Sequence, residues 1–186
     1  MDAKEHVDFV LDIETLGTKP GAVILEIGAW SGGAGLTLKI DPDSHCGKVE
    51  LDTLQWWANV PDMAARHNAF TTSVKRYKLK DALLRLNEFI AQHNPGYFWG
   101  CSPDFDYKHL EHWCKLYDIE IPWKYHQLRD VRTIRDLLTE EKLETLKKRA
   151  CCIGESLHMA GADARYEWLI VKEVRRQFDI LKGVAK

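Results

Sequence analysis

Asp12 and Glu14 stand two residues apart in an otherwise apolar stretch, Val7 to Ile13, that runs on into Thr15, Leu16 and Gly17. Successive side chains of a strand point to opposite faces, so this spacing aims both carboxylates the same way while Phe9, Leu11 and Ile13 point the other way. Two acids on one face repel each other unless a positive group lies between them. A divalent cation is the simplest such group, because hard cations take carboxylate oxygens. The alternative is a strand end at the surface with solvated acids.

Two further acids come from helical phase. Asp106 shares a face with Leu110, Trp113 and Tyr117, whereas Asp104 shares one with Lys108, Glu111 and Lys115. The first face is the buried one, so Asp106 is the acid held toward the sheet. Taken alone, an acid near a helix N-terminus is also a simple dipole partner. Asp163 lines up with Ile170, Val174 and Leu181, and Glu167 lies near the same stripe. His158 precedes Asp163 by five residues, a step of about 140° on an ideal helix. If the two act together, His158 sits in the loop just before the helix; by itself it reads as a surface histidine. Buried acids cost several kcal/mol each unless paired, and no comparable set of inward-facing Lys or Arg is evident to pair them. Two divalent metals would balance Asp12, Glu14, Asp106 and Asp163, and would suit in-line phosphoryl displacement.

The elements that must position these groups follow from the pattern. Ala22 to Trp30 and Leu36 to Ile40 read as strands after Val7 to Ile13, joined by the turns Thr18–Gly21 and Gly32–Gly35 into an antiparallel meander. Helices follow. Asp52 or Thr53 is placed to cap a short one through Trp57, and Pro61 to start another through Phe70. Leu79, Leu83, Leu86 and Ile90 have helical spacing. Tyr97 to Gly100 is a short aromatic strand, and Ser102-Pro103 opens a helix to about Tyr117. A brief strand is expected over Tyr125 to Leu128, then helices over Val131 to Leu138, Thr139 to Arg149 and Met159 to Leu181. Strands first, then strands alternating with helices, indicate an α/β fold with a mixed sheet flanked by helices.

Composition bounds the function. The 186 residues suit one domain, residues 1–186, with room for a full core. No apolar run reaches the roughly 20 residues of a membrane span, and Met1 to His6 lacks the apolar stretch of a signal peptide. The five cysteines have no regular spacing, so Cys151 and Cys152 read as reduced thiols in a cytoplasmic protein, and Cys46, Cys101 and Cys114 as small apolar residues. A formal net charge of −2 excludes a globally basic nucleic-acid binder, so any grip on phosphates is local. The available clusters are Lys75/Arg76/Lys78/Lys80, Arg129/Arg132/Arg135 and Lys147/Lys148/Arg149, each by itself a solvated surface before it is a binding patch.

The order Asp12-Ile13-Glu14-Thr15, then Phe105-Asp106, then His158-x4-Asp163 resembles the DEDDh 3'→5' exonucleases of the DnaQ-like or RNase T superfamily. Thr53-Leu54-Gln55-Trp56-Trp57 and Arg129-Asp130-Val131-Arg132-Thr133 resemble segments of phage-type members, such as the T-even phage exonuclease A and related exoribonuclease-like domains. One departure is Ser102, where many members carry asparagine.

The resemblance implies a ribonuclease H-like fold with a five-stranded mixed sheet. It also implies release of 5'-mononucleotides from the 3' end of single-stranded DNA or RNA. Asp12 would bridge two ions, Mg²⁺ or Mn²⁺, with Glu14 and Asp163 completing one site and Asp106 the other. His158 would be the general base, and Thr15 and Leu16 would contact the last nucleotide. Trp56 and Trp57 would be either a stacking platform or core. Relatives such as RNase T make a homodimer the expected assembly, in the cytoplasm (the host's, if phage-encoded). The rival readings are a polymerase proofreading subunit, an endonuclease, and a non-catalytic nucleic-acid-binding protein.

Overall fold

The structure is a computed structural model that describes residues 7–151 and 155–181. The Met1–His6 stretch and Cys152 lie outside the described residues. Strands β1 (Asp8–Thr15), β2 (Ile24–Ser31) and β3 (Ala34–Lys39) form the expected antiparallel meander. Helices α1 (Leu51–Asn59), α2 (Met63–Phe70) and α3 (Leu79–His93) follow, then β4 (Tyr97–Gly100), α4 (Pro103–Leu116), β5 (Leu128–Asp130), α5 (Val131–Arg135), α6 (Glu140–Ala150) and α7 (Ala160–Leu181). The sheet order is β3-β2-β1-β4-β5, with β4 and β5 parallel to β1 and to each other. This is the expected five-stranded mixed sheet, with β1 at its centre.

Period-two alternation along β1 divides the interior. Phe9, Leu11 and Ile13 face a core completed by Leu79, Leu83 and Leu86 of α3 and by Tyr107, Leu110 and Trp113 of α4. Val10 faces the opposite core, built with Trp99, Leu143, Ile170, Val171 and Val174. The helix α7 crosses that second face over β1 and β2. Asp12 and Glu14 have the parity of Val10, so α7 comes to lie over them. A third cluster, with Leu16, Val23, Leu25 and Trp57, closes the end of the sheet under α1 and α2.

Several local expectations shift. Neither Asp52 nor Thr53 caps α1; Glu50 stands at the N-cap without a capping bond, because its carboxylate takes the backbone N–H and hydroxyl of Thr18 at 2.9 and 2.8 Å. Pro61 lies outside α2, which is capped by Asp62 through the N–H groups of Ala64 and Ala65. Tyr125–Gln127 is a 3-10 turn rather than strand, and Tyr125 is exposed, so the strand starts at Leu128. The helix from Val131 ends at Arg135. Leu181 is 81% exposed, because the buried positions of α7 stop at Val174. Cys46 and Cys101 are exposed, and only Cys114 joins the core.

Two buried ion pairs brace this frame. Asp8, at the start of β1, accepts from Arg175 of α7 through Nη2 at 2.6 Å and from the Trp99 indole at 2.8 Å. Glu26 accepts from Lys39 and from the Asn68 amide, both at 2.8 Å.

The first residue of α7 rests directly on β2. A Cβ added at Gly28, which pairs with Asp12 across the β1–β2 ladder, would stand 2.0 Å from the Ala160 carbonyl oxygen. Backbone here meets backbone, with no flexible side chain to give way. Gly28→Ala should therefore destabilise the protein by at least about 1–3 kcal/mol. At roughly 2–4 °C per kcal/mol for a chain of this size, a thermal melt reads the loss. A melting temperature equal to that of the unsubstituted protein would contradict the contact.

Candidate active site

Each acid reaches the site through a distinct piece of backbone. Asp12 and Glu14 lie at the C-terminal half of β1. The strand β4 pairs with β1 only from Asp8 to Val10, so beyond that point the N–H groups on this edge of β1 lack a ladder partner. Asp106 supplies one: its Oδ1 accepts the Ile13 N–H at 3.2 Å. The helix N-terminus that carries Asp106 turns out of β4 through Gly100, Cys101 and Ser102. Ser102 adopts φ +78°, in the left-handed region, and makes no side-chain capping bond. Its position before Pro103 is as expected, but the capping interaction is absent. Asp106 is 2% exposed, and its second oxygen, Oδ2, has no hydrogen-bond partner among the described residues.

Asp163 enters from the first turns of α7. The loop before that helix folds back, so that the His158 N–H donates to Asp163 Oδ2 at 2.7 Å. This needs a left-handed residue, and His158 has φ +65°. The five-residue spacing is thus a loop closure onto a helical carboxylate. The His158 side chain is exposed, and its ring meets Trp56 edge to face at 5.2 Å. Glu14, His158 and Asp163 bring ligand atoms within 4.8 Å of one another. Asp12 and Asp106 stand outside that trio, yet both lie within electrostatic reach of Asp163.

The electrostatics follow from burial. Burial first, and then Asp106, Asp163 and Glu14, raise Asp12 well above the ordinary carboxylate range. Glu14 is raised by burial, then by Asp163 and by Glu26, its cross-strand partner. Asp106 is raised chiefly by burial, against the lowering effect of the Ile13 bond. Asp163 is pushed up to about 7, again mostly by burial. Lys39 is an inward-facing cation that periodicity did not single out, but its ammonium is engaged with Glu26 and the Asn68 carbonyl. The set of hard oxygen donors beside one imidazole, with Asp106 Oδ2 buried and unpaired, fits divalent cations.

Thr15 and Leu16 follow directly on β1. The Thr15 hydroxyl donates to the Gly17 carbonyl at 2.7 Å, and its own carbonyl accepts the Trp57 indole N–H at 2.9 Å. Leu16 is 8% exposed, in the cluster with Trp57 and Val60. Trp57 is therefore core, whereas Trp56 is 46% exposed beside His158. A cleft of about 510 Å³ opens next to His158, lined in part by Val60, Pro61, Leu157, Lys147 and Lys148. Of the three basic clusters, the one on α6 reaches this cleft. Arg76 is tied to the Ile40 carbonyl and Arg132 to Asp130.

With this arrangement in view, the comparisons are specific. Residues 7–175 match the 3'-5' exoribonuclease Rv2179c-like domain. The chain belongs to that family. The nuclease domain of 3'hExo, a DEDDh family member solved bound to rAMP, superposes with a TM-score of 0.57 at 11% identity, over 96% of this chain and 95% of that one. The family B DNA polymerase from the hyperthermophilic archaeon Pyrobaculum calidifontis gives 0.52 at 9% identity, over 92% of this chain and 25% of the polymerase. No curated protein matches in sequence. The chain is a 3'-5' exonuclease, and its ribonuclease H-like fold is that of the DEDDh nuclease domain of 3'hExo. No helix among the described residues is long and apolar enough to cross a membrane.

The raised carboxyls make stability depend on pH in a definite sense. Unfolded carboxyls titrate near 4, whereas folded Asp163 holds its proton up to about 7. Between those values the folded state binds more protons, so stability falls as pH rises through the window. In chelator, the urea midpoint should be higher at about pH 5 than at about pH 8, and saturating Mn²⁺ should remove most of the difference. A midpoint in chelator that rises with pH would be the opposite result.

Proposed function

We propose that the protein removes 5'-mononucleotides one at a time from the 3' end of a single strand, RNA in preference to DNA, acting as one domain. The observation that carries this reading is the convergence of Glu14, His158 and Asp163 within 4.8 Å, at the end of a strand that also presents Asp12. The preference for RNA is supported by the description of the family as exoribonucleases and by the ribonucleotide in the 3'hExo domain. The stretches Thr53–Trp57 and Arg129–Thr133 favour a phage-type member.

In this reading Asp12, Glu14, Asp106 and Asp163 would hold two divalent ions, Mg²⁺ or Mn²⁺. When bound, the ions supply positive charge to the attacking and leaving oxygens. His158 takes the proton of the attacking water as general base. Its main chain is fixed by Asp163, and its ring is steadied by the edge contact with Trp56. Thr15 and Leu16 support the last nucleotide, and the cleft past Lys147 takes the strand behind it. A binding protein without turnover gains nothing from four acids aimed at phosphates.

On 5'-labelled RNA and DNA oligonucleotides with Mg²⁺ or Mn²⁺, the unsubstituted protein should give a ladder shortening from the 3' end and leave circular strands intact. Asp12→Ala and Asp106→Ala should fall to background, and His158→Ala should lose about 10²–10⁴-fold. Full activity in all three would end the proposal, and cleavage of circles would make the enzyme an endonuclease. Size-exclusion chromatography tests the homodimer that the resemblance to RNase T implies.

A further inference from the structure

Glu167 is a fifth acid of the cluster and belongs to none of the motifs. It lies one turn beyond Asp163 on α7 and is 6% exposed. Burial first, then Asp106 and Asp163, raise its carboxyl well above the ordinary range, and its Oε2 is buried with no hydrogen-bond partner among the described residues. Asp106 and Asp163 are its strongest charged neighbours, with Asp130 behind them, and Asp12 feels it in turn. Among the described residues no ion pair forms to Glu167, while Lys39 pairs with Glu26, Arg132 with Asp130 and Arg175 with Asp8.

A second orphan oxygen occupies the same corner. Asp106 Oδ2 is also buried and unpaired. A Cβ on Gly100 would come within 3.2 Å of it, so the residue just before Cys101 leaves it room. Two buried carboxylate oxygens without donors, on acids that repel each other, are costly unless a cation or its hydration faces them. Glu167 is absent from the trio of residues whose ligand atoms come within 4.8 Å. Its reach toward an ion is therefore indirect, and divalent ions such as Mg²⁺ keep several waters that carboxylates can hold.

We propose that Glu167 positions the cation seated against Asp106 by holding its hydration water. The inference rests on the two-ion reading above.

Glu167→Gln tests it, because the amide keeps the size and shape of the side chain and removes the charge. Two quantities are read: Mn²⁺ binding by calorimetry, and melting in chelator. The variant should melt in chelator at or above the unsubstituted protein, while its weaker Mn²⁺ site loses about 10–100-fold in affinity, the usual cost of removing a group that supports a metal ligand. Glu167→Ala, which also leaves a cavity where the buried side chain stood, should show the same loss of affinity and melt lower. Unchanged Mn²⁺ affinity in Glu167→Gln would overturn the proposal, as would a loss of affinity accompanied by a lower melting temperature in chelator. Failure of the unsubstituted protein to bind Mn²⁺ would overturn the two-ion reading itself, and this inference with it.

Discussion

Asp12, Glu14, Asp106, Asp163 and Glu167 converge on a poorly solvated region where they cannot all carry charge unopposed. The rest of the fold is arranged around that constraint. Elsewhere the protein handles buried acids in the ordinary way. Asp8 receives Arg175 and the Trp99 indole, and Glu26 receives Lys39 and Asn68. These partners cross between elements, so each buried acid that is neutralised also fastens two parts of the frame together. Among the described residues the central cluster forms no ion pair, and two of its oxygens make no hydrogen bond. A buried acid set aside from this pairing is a reservoir of unfavourable energy that cations are suited to relieve.

Geometry is supplied by the ends of elements rather than their middles. The short strand β4 stops early beside β1, and the free Ile13 N–H becomes the anchor for Asp106. The first turn of α7 sits against Gly28, so backbone contact sets the height of Asp163 above β1. Asp106 and Asp163 are each held by a backbone N–H, and in Asp106 this leaves Oδ2 without a partner among the described residues.

The parts of this site that depend on local periodicity were legible in the sequence. The shared face of Asp12 and Glu14 follows from the strand repeat, and the inward phases of Asp106 and Asp163 from the helical one. Glu167 was visible only as a neighbour of that stripe; its importance depends on Asp106, which comes from a different helix. The Glu26–Lys39 pair required the register between β2 and β3. The contact between Trp56 and His158 joins residues about a hundred positions apart, and no local pattern encodes it. Treating Trp56 and Trp57 alike missed that adjacent helical residues face different ways: one indole bonds the Thr15 carbonyl while the other meets the histidine. The brief strand was misplaced because aromatic Tyr125 suggested extended structure, whereas its exposure leaves it nothing to pack against.

The bond from His158 N–H to Asp163 Oδ2 means that the loop and the helix carboxylate form a single mechanical unit. Removing the Asp163 carboxylate takes away a charge and also releases the loop that orients the imidazole. Changes at these two positions therefore cannot be additive, since the second acts on an arrangement the first has already undone. The loop and the helix carboxylate thus act as one module, and losing either residue leaves little use for the other.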